Sequence, residues 1–295
     1  MNKKLRVAVL MGGRSPEYEI SLISGKEVLA NLPKKYIGIP IVIPKNGNKW
    51  LNNLLEAKAD ICFIAMHGPF GEDGKIQGML DTLGIKYTGS GVAASAIGID
   101  KILFRKIMKA EDILMPKDTT KLPCFIKPHN QGSSIGASIV RNKTELARAI
   151  KIARRYSDKI LIEEYLVGKE LTCAVLGNNN PTPLPVIEIV PKKGEFFDYE
   201  SKYSESGADE IVPARISKKL TKIVQELSIK VHQIIGAKGF SRVDFILKEN
   251  KYPVILEINT IPGLTPMSLL PKAAKAYGLS YSELLDRIIK YSVYE

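Results

Sequence analysis

The sequence predicts an α/β protein: an N-terminal domain built on a parallel sheet, followed by a mixed α+β region in two parts. Three observations carry this. Strand-like and helix-like stretches alternate over residues 1–90, as parallel sheets require. A glycine-rich stretch, residues 127–136, lies between two strand-like runs and not between a strand and a helix. Near the C-terminus, two short strands at 240–247 and 252–259 flank a polar turn at 248–251 and carry charges on one face.

Residues 5–11 read as a buried strand that ends at Gly12 and Gly13. Ser15 can cap a helix whose first position is Pro16. Residues 36–43 and 60–66 read as strands, and 77–83 as a helix closed by Gly84. Ligands of such sheets gather beyond the carboxyl ends of the strands, where Gly12, Glu17 and His67 lie. A second segment, 91–177, holds a helix at 100–109, strands at 122–127 and 137–141, and a helix that Asn142 and Glu145 start. Strands at 160–163 and 170–176 complete it. The third segment, 178–295, holds the stretch 183–190, a polar loop at 192–209 and an amphipathic helix from Leu220 to a stop at Gly236. The charged hairpin and two closing helices follow.

In the hairpin, alternation puts Arg242, Asp244 and Ile246 on one face and Ile255, Glu257 and Asn259 on one face of the partner strand. Val243, Phe245, Leu247, Val254, Leu256 and Ile258 take the core side. Two carboxylates and an amide are hard oxygen donors, suited to Mg²⁺ shared with nucleotide phosphates. A solvated strand face is the plainer alternative. In the glycine-rich loop, Gly132 and Gly136 let backbone N–H groups approach an anion, Ser133 and Ser134 add hydroxyls, and Lys127 offers a point charge. By itself this is also an ordinary tight turn. Lys101 alone reads as a surface lysine. The stretch from Glu163 to Glu170 reads either as a plain connection or as backbone for a purine edge with a carboxylate for ribose. The long polar loop with Lys202 and Tyr203 reads as a lid or a surface excursion.

Composition narrows the classes. The net charge is +12, but the lysines are scattered among acids with no aromatic-interleaved basic stripe, so nucleic acid is not an expected partner. No apolar run reaches the length of a membrane span, and the Met-Asn-Lys-Lys start is followed by too short an apolar run for a secretory leader, so a cytoplasmic protein is expected. Cys62, Cys124 and Cys173 are widely spaced and read as buried free thiols. His67, His129 and His232 lack zinc-site spacing, and Gly-x-Gly-x-x-Gly is absent, so neither zinc nor hydride chemistry is expected.

These pieces, taken in order, resemble the ATP-grasp superfamily and, within it, the D-alanine–D-alanine ligase family. The resemblance runs over essentially the whole chain: residues 11–21 around Glu17, 67–74 around His67, 87–91, Asp100 with Lys101, 127–136, 199–203, Arg242 with Asp244, and 257–263. It implies a two-part ATP-grasp fold after the N-terminal domain, and ATP-driven ligation of two D-alanines through an acyl phosphate, for peptidoglycan precursors. It implies ATP and two Mg²⁺ or Mn²⁺ as cofactors, D-alanine as substrate, and a homodimer through the N-terminal domain. Asp244, Glu257 and Asn259 would hold the metals. Lys101, Lys127 and Ser134 would contact phosphates. Backbone around Glu163, Tyr165 and Leu166 would read adenine, and Glu170 the ribose. Arg242 and the Gly263 N–H would stabilise the tetrahedral oxyanion. Glu17 would hold the first ammonium near His67, with Tyr203 linking Glu17 to Ser133. Lys202 and Ser268 would take the second carboxylate, and Leu269 would pack on its methyl. Family members that make the D-lactate ester usually carry Phe where Tyr203 stands, which points to an amide product. Glu164 stands where the family often has lysine beside adenine. The alternatives are a ligase for another D-amino acid and a nucleotide sensor without turnover.

Overall fold

The computed structural model describes residues 4–192 and 207–293. Strand β1 (Leu5–Gly12) is the centre of a parallel sheet, with β2 (Tyr36–Ile43) on one side and β3 (Ile61–Ile64) on the other. Val7, Ala8, Val9 and Leu10 are fully buried because a central parallel strand is covered on both faces. Helix α1 (Tyr18–Asn31) joins β1 to β2, and α2 (Trp50–Glu56) joins β2 to β3. Helix α1 starts later than the sequence predicts. Glu17, not Ser15, is its N-cap. The Ser15 hydroxyl instead donates to the His67 carbonyl and accepts from the Glu17 N–H, tying together the ends of two strands.

Helices α3 (Lys75–Thr82), α4 (Val92–Ile99) and α5 (Lys101–Ala110) lead out of this domain. Asp100 caps α5 by accepting from the Ile102 and Leu103 N–H groups, which fixes Lys101 at the first helical position. A small antiparallel sheet follows, ordered β5 (Ser138–Val140), β4 (Cys124–Pro128), β6 (Ile160–Glu164), with α6 (Lys143–Ala153) packed on it. Asn142 caps α6 as expected.

The largest sheet is ordered β10 (Ala208–Ile211), β9 (Ile187–Pro191), β7 (Gly168–Leu176), β11 (Phe240–Lys248), β12 (Tyr252–Asn259), with β8 (Thr182–Pro183) on β7. Pairing thus groups β7 with the C-terminal hairpin, whereas the sequence division placed it with the central segment. Helix α7 (Lys218–Ile234), capped by Ser217, covers one face. Helices α8 (Leu269–Ala276) and α9 (Tyr281–Val293) return to the N-terminal domain, where Leu270, Leu284 and Ile288 join the core around β1.

The hairpin departs from strict alternation. Asp244 pairs with Glu257 but Phe245 pairs with Ile255, so Leu256 is an extra residue on β12. Beyond this bulge the faces switch. Ile255 is fully buried in the core beneath α7, while Leu256 lines the cleft with Ile246. The expectation that Ile255 shares the Glu257 face and Leu256 the core is therefore overturned. Two consecutive side chains, Leu256 and Glu257, face the same cleft.

Candidate functional site

Two cavities meet on the charged face of the hairpin. The larger, about 540 Å³, lies between the small sheet and the large one. Lys101, Lys127, Ser134, Glu163, Tyr165, Leu166 and Glu170 all line it. The smaller, about 80 Å³, faces the N-terminal domain and is lined by Glu17, His67, Ser133, Arg242, Gly263, Ser268 and Leu269. Asp244 and Glu257 line both, and Asn259 lines the smaller. The two carboxylates that the sequence assigns to metal therefore stand at the junction.

Register explains this grouping. Asp244 lies opposite Glu257, and Arg242 opposite Asn259. Arg242 grips both oxygens of Asp244, Nε to Oδ1 at 2.8 Å and Nη2 to Oδ2 at 2.8 Å. Thr172 Oγ1 donates to the same Oδ1 at 2.6 Å. Burial alone would depress the Arg242 guanidinium. The charges of Asp244, Glu257 and Glu72 outweigh that and raise its pKa above the ordinary arginine value. The site thus holds a fixed positive charge in a largely dry setting, where such charges act most strongly.

The two lysines expected at phosphates rest on carboxylates. Lys101 Nζ lies 2.9 Å from Glu257 Oε2 and donates to the Gln131 carbonyl at 2.8 Å. Lys127 Nζ lies 2.8 Å from Glu163 Oε2, and Arg105 holds the other oxygen at 3.1 Å. The Glu163 side chain is thus committed to Lys127 and Arg105, while its backbone lies in the β4–β6 ladder opposite Phe125.

In the glycine-rich loop, Ser133 and Ser134 both have left-handed backbones, φ +50° and +58°. Such residues typically cost on the order of 1–3 kcal/mol each and persist at ligand clamps. Successive N–H groups in such a turn form an anion-binding concavity. The Ser133 hydroxyl donates directly to Glu17 Oε1. The loop is therefore tied to the N-terminal domain through the residue expected to hold the first ammonium. Gly68, with φ +72°, makes room for this: a Cβ there would sit 2.5 Å from Glu17 Oε2. Likewise, a Cβ on Gly263 would sit 2.6 Å from Ser268 Oγ.

His67 accepts or donates to Ser24 Oγ at 2.8 Å through Nε2, and its Nδ1 lies 3.6 Å from Glu72 Oε1. Burial pushes the Glu72 carboxyl up; His67 opposes this and the Glu17 charge adds to it. Glu72 is a site residue that the sequence reading quoted within the His67 block but gave no role. Other residues were missed outright. Glu188 is held by Arg215 through Nε at 3.0 Å and Nη2 at 2.8 Å, with Lys169 at 3.3 Å, and all three line the large cavity. Glu210 lines the small one. Their signal was weak because each sits alone in a strand or turn. Glu164 accepts from the Lys117 N–H and pairs with Lys248 at 3.4 Å, so its charge is met by a lysine from β11. Lys202 and Tyr203 lie outside the described residues.

The donor set suits a divalent ion shared with nucleotide: two carboxylates that open on the nucleotide-sized cleft and, in the adjoining small cavity, an amide from the strand that carries Glu257, all hard oxygens. Among the described residues no three or more His, Cys, Asp or Glu side chains converge into an all-protein cage. The remaining ligands would be phosphate oxygens and water.

Comparison with known proteins identifies the family. The family model described as the D-ala D-ala ligase C-terminus matches residues 94–290, and that of the D-ala D-ala ligase N-terminus matches residues 6–58 and 52–90. The chain is 40% identical to a D-alanine–D-alanine ligase of Carboxydothermus hydrogenoformans, over 97% of each protein. It is 41% identical to one of Halalkalibacterium halodurans, over 98% of this chain and 99% of that one. Among solved structures, D-alanine–D-alanine ligase from Bacillus anthracis complexed with ATP superposes with a TM-score of 0.84 at 35% identity, covering 99% and 98% of the two chains. The VanG D-Ala:D-Ser ligase from Enterococcus faecalis gives 0.85 at 32% identity, covering 99% and 100%. With both family models matched and full-length relatives near 40% identity, this chain belongs to the D-alanine–D-alanine ligase family.

Proposed function

We propose that this chain joins two D-alanines into D-alanyl-D-alanine, using ATP, as a step in making peptidoglycan precursors. It is an ATP-dependent ligase by family. The observation that carries the reading is the junction of a nucleotide-sized cleft and a small polar cavity at Asp244 and Glu257, with Arg242 beside them.

In the first step a carboxylate oxygen of the first D-alanine attacks the γ-phosphorus of ATP. The bond to the ADP oxygen breaks, and an acyl phosphate forms. Phosphoryl transfer asks the protein mainly for positioning and charge neutralisation. Lys101 and Lys127 move from Glu257 and Glu163 onto the phosphates, and the N–H groups around Ser133 and Ser134 cradle them. Magnesium, when bound, neutralises phosphate charge, and Asp244, Glu257 and Asn259 are the residues that would hold it. Glu17 binds the first ammonium, steadied by Ser133. In the second step the neutral amine of the second D-alanine attacks the acyl carbon. Arg242 and the Gly263 N–H hold the resulting oxyanion, phosphate leaves with the electron pair of the carbon–oxygen bond, and the amine's proton passes to the departing phosphate. Ser268 and Leu269 hold the second substrate. Excluding water matters because acyl phosphates hydrolyse.

Product mass spectrometry tests this. ATP, Mg²⁺ and D-alanine must yield the dipeptide, with ADP and phosphate released only when D-alanine is present. ATP turnover indifferent to D-alanine would overturn it. The likeness to a D-Ala:D-Ser ligase supports one second reading, a mixed dipeptide, and D-serine in the same assay separates the two.

A homodimer through the N-terminal domain belongs to the same reading. Strand β2 is a sheet edge, and Ile37 and Val42 on it are exposed, together with Ile23 on α1. Buried, widely spaced free cysteines support a cytoplasmic setting. Among the described residues no helix is long and apolar enough to cross a membrane.

A further inference from the structure

The small cavity has a charged wall that the steps above leave unused. Glu210, on β10, lines it beside Met267, Ser268 and Leu269. Only 13% of its side chain is exposed, and Lys272 Nζ meets its Oε2 at 2.5 Å. Lys272 lies on α8, four residues beyond Ser268, and so on the same side of the helix. The pair therefore bridges β10 to the helix whose first residues form the end of the cavity assigned to the second substrate.

An incoming D-amino acid brings a carboxylate to this end. An unpaired carboxylate in the wall would repel it, since like charges close together in a partly dry site are strongly unfavourable. The Lys272 ammonium removes that repulsion without entering the cavity, whose lining includes Glu210 but not Lys272. We infer that the Glu210–Lys272 pair is a specificity element of the acceptor subsite, in which Lys272 neutralises a wall carboxylate that would otherwise repel the acceptor's carboxylate. The inference rests on the proposed dipeptide reaction and assigns Lys272 a positioning role, since it acts through Glu210.

Initial rates against D-alanine at saturating ATP resolve the constants for the two D-alanines. Lys272→Met raises the constant for the second by at least about tenfold, with the KM for ATP within about threefold of wild type. Lys272→Arg keeps the charge and restores the second constant. Adding Glu210→Gln to Lys272→Met also brings it back towards wild type, because the repelling charge is gone. In Lys272→Met, 2,3-diaminopropionate of D configuration gains as acceptor relative to D-alanine, since its ammonium answers the bared carboxylate. A merely structural bridge would instead leave the double variant as poor as the single, raise both D-alanine constants together and leave acceptor preference unchanged. Any of these results overturns the inference. Wild-type protein that forms no dipeptide from D-alanine overturns the parent reading, and this one with it. Dipeptide formation with an unmoved second constant in Lys272→Met sinks this inference alone.

Discussion

Lys101 Nζ and Glu257 Oε2 lie 2.9 Å apart, so a lysine expected at phosphate rests on a carboxylate expected at metal. Lys101 is only 6% exposed, and its ammonium is also held by the Gln131 carbonyl. The two charges neutralise each other. Lys101→Met removes the proposed phosphate contact and takes one ammonium away from Glu257. Turnover falls by roughly 10²-fold, the scale for losing one charge-stabilising donor. Titration of Mn²⁺ without nucleotide, followed by paramagnetic resonance, shows tighter binding than wild type. Unchanged Mn²⁺ affinity would mean that Lys101 does not guard Glu257.

Glu257→Gln tests the junction from the other side. The side chain is partly exposed, and its removal leaves the hairpin core of Val243, Phe245 and Ile258 intact. The melting temperature stays near wild type while turnover drops by at least about 10²-fold. Calorimetry and phosphate release measure the two. Near-normal turnover would remove Glu257 from the reaction.

Acid stability follows from Glu188. Hydrogen bonds from the Arg215 side chain, against the cost of burial and helped by Lys169, bring its carboxyl down to about 2 from an ordinary value of 4.5. A carboxyl depressed in the folded state binds fewer protons there than in the unfolded chain between those values. Its stabilisation is complete above about 4.5 and is lost as pH falls towards about 2. Urea midpoints measured across that window fall more steeply for wild type than for Glu188→Gln. Parallel curves would contradict the Glu188–Arg215 coupling.

Gly68→Ala brings a methyl into the space occupied by Glu17. The residue has φ +72°, which L side chains adopt with strain, and the new Cβ would lie 2.5 Å from Glu17 Oε2. Either Glu17 or the loop must shift, and the Ser133 bond shifts with it. The constant for the first D-alanine rises by about tenfold or more, an energy of roughly 1.4 kcal/mol, while the KM for ATP changes little. A normal first constant would show that Glu17 does not hold that substrate.

The parts legible in the sequence were those set by local chemistry. Asn142 announced its helix by capping, and the alternation in β11 put Arg242 and Asp244 on one face. What stayed hidden depends on partners distant in sequence. Glu188 means little until Arg215 folds against it, and Glu210 until α8 brings Lys272. Helices α2 and α4 escaped notice: α2 is only seven residues long, and α4 lacks an amphipathic stripe. The bulge at Leu256 was invisible because periodicity assumes unbroken pairing, and one extra residue reverses every face beyond it.

That reversal is itself testable with neighbouring substitutions. Ile255 is fully buried beneath α7, so Ile255→Ala costs about 2–5 kcal/mol of stability. Its effect on ATP binding is small, since it does not line the cleft. Leu256 lines the large cavity beside Ile246, so Leu256→Ala costs less stability and raises the KM for ATP. Strict alternation gives the opposite assignment, with Leu256 in the core and Ile255 beside the nucleotide. Denaturant midpoints and ATP titrations on the two variants decide between the arrangements: a larger loss of stability for Leu256→Ala than for Ile255→Ala would remove the bulge, and with it the reason that a leucine and the glutamate proposed to hold metal stand side by side on one face.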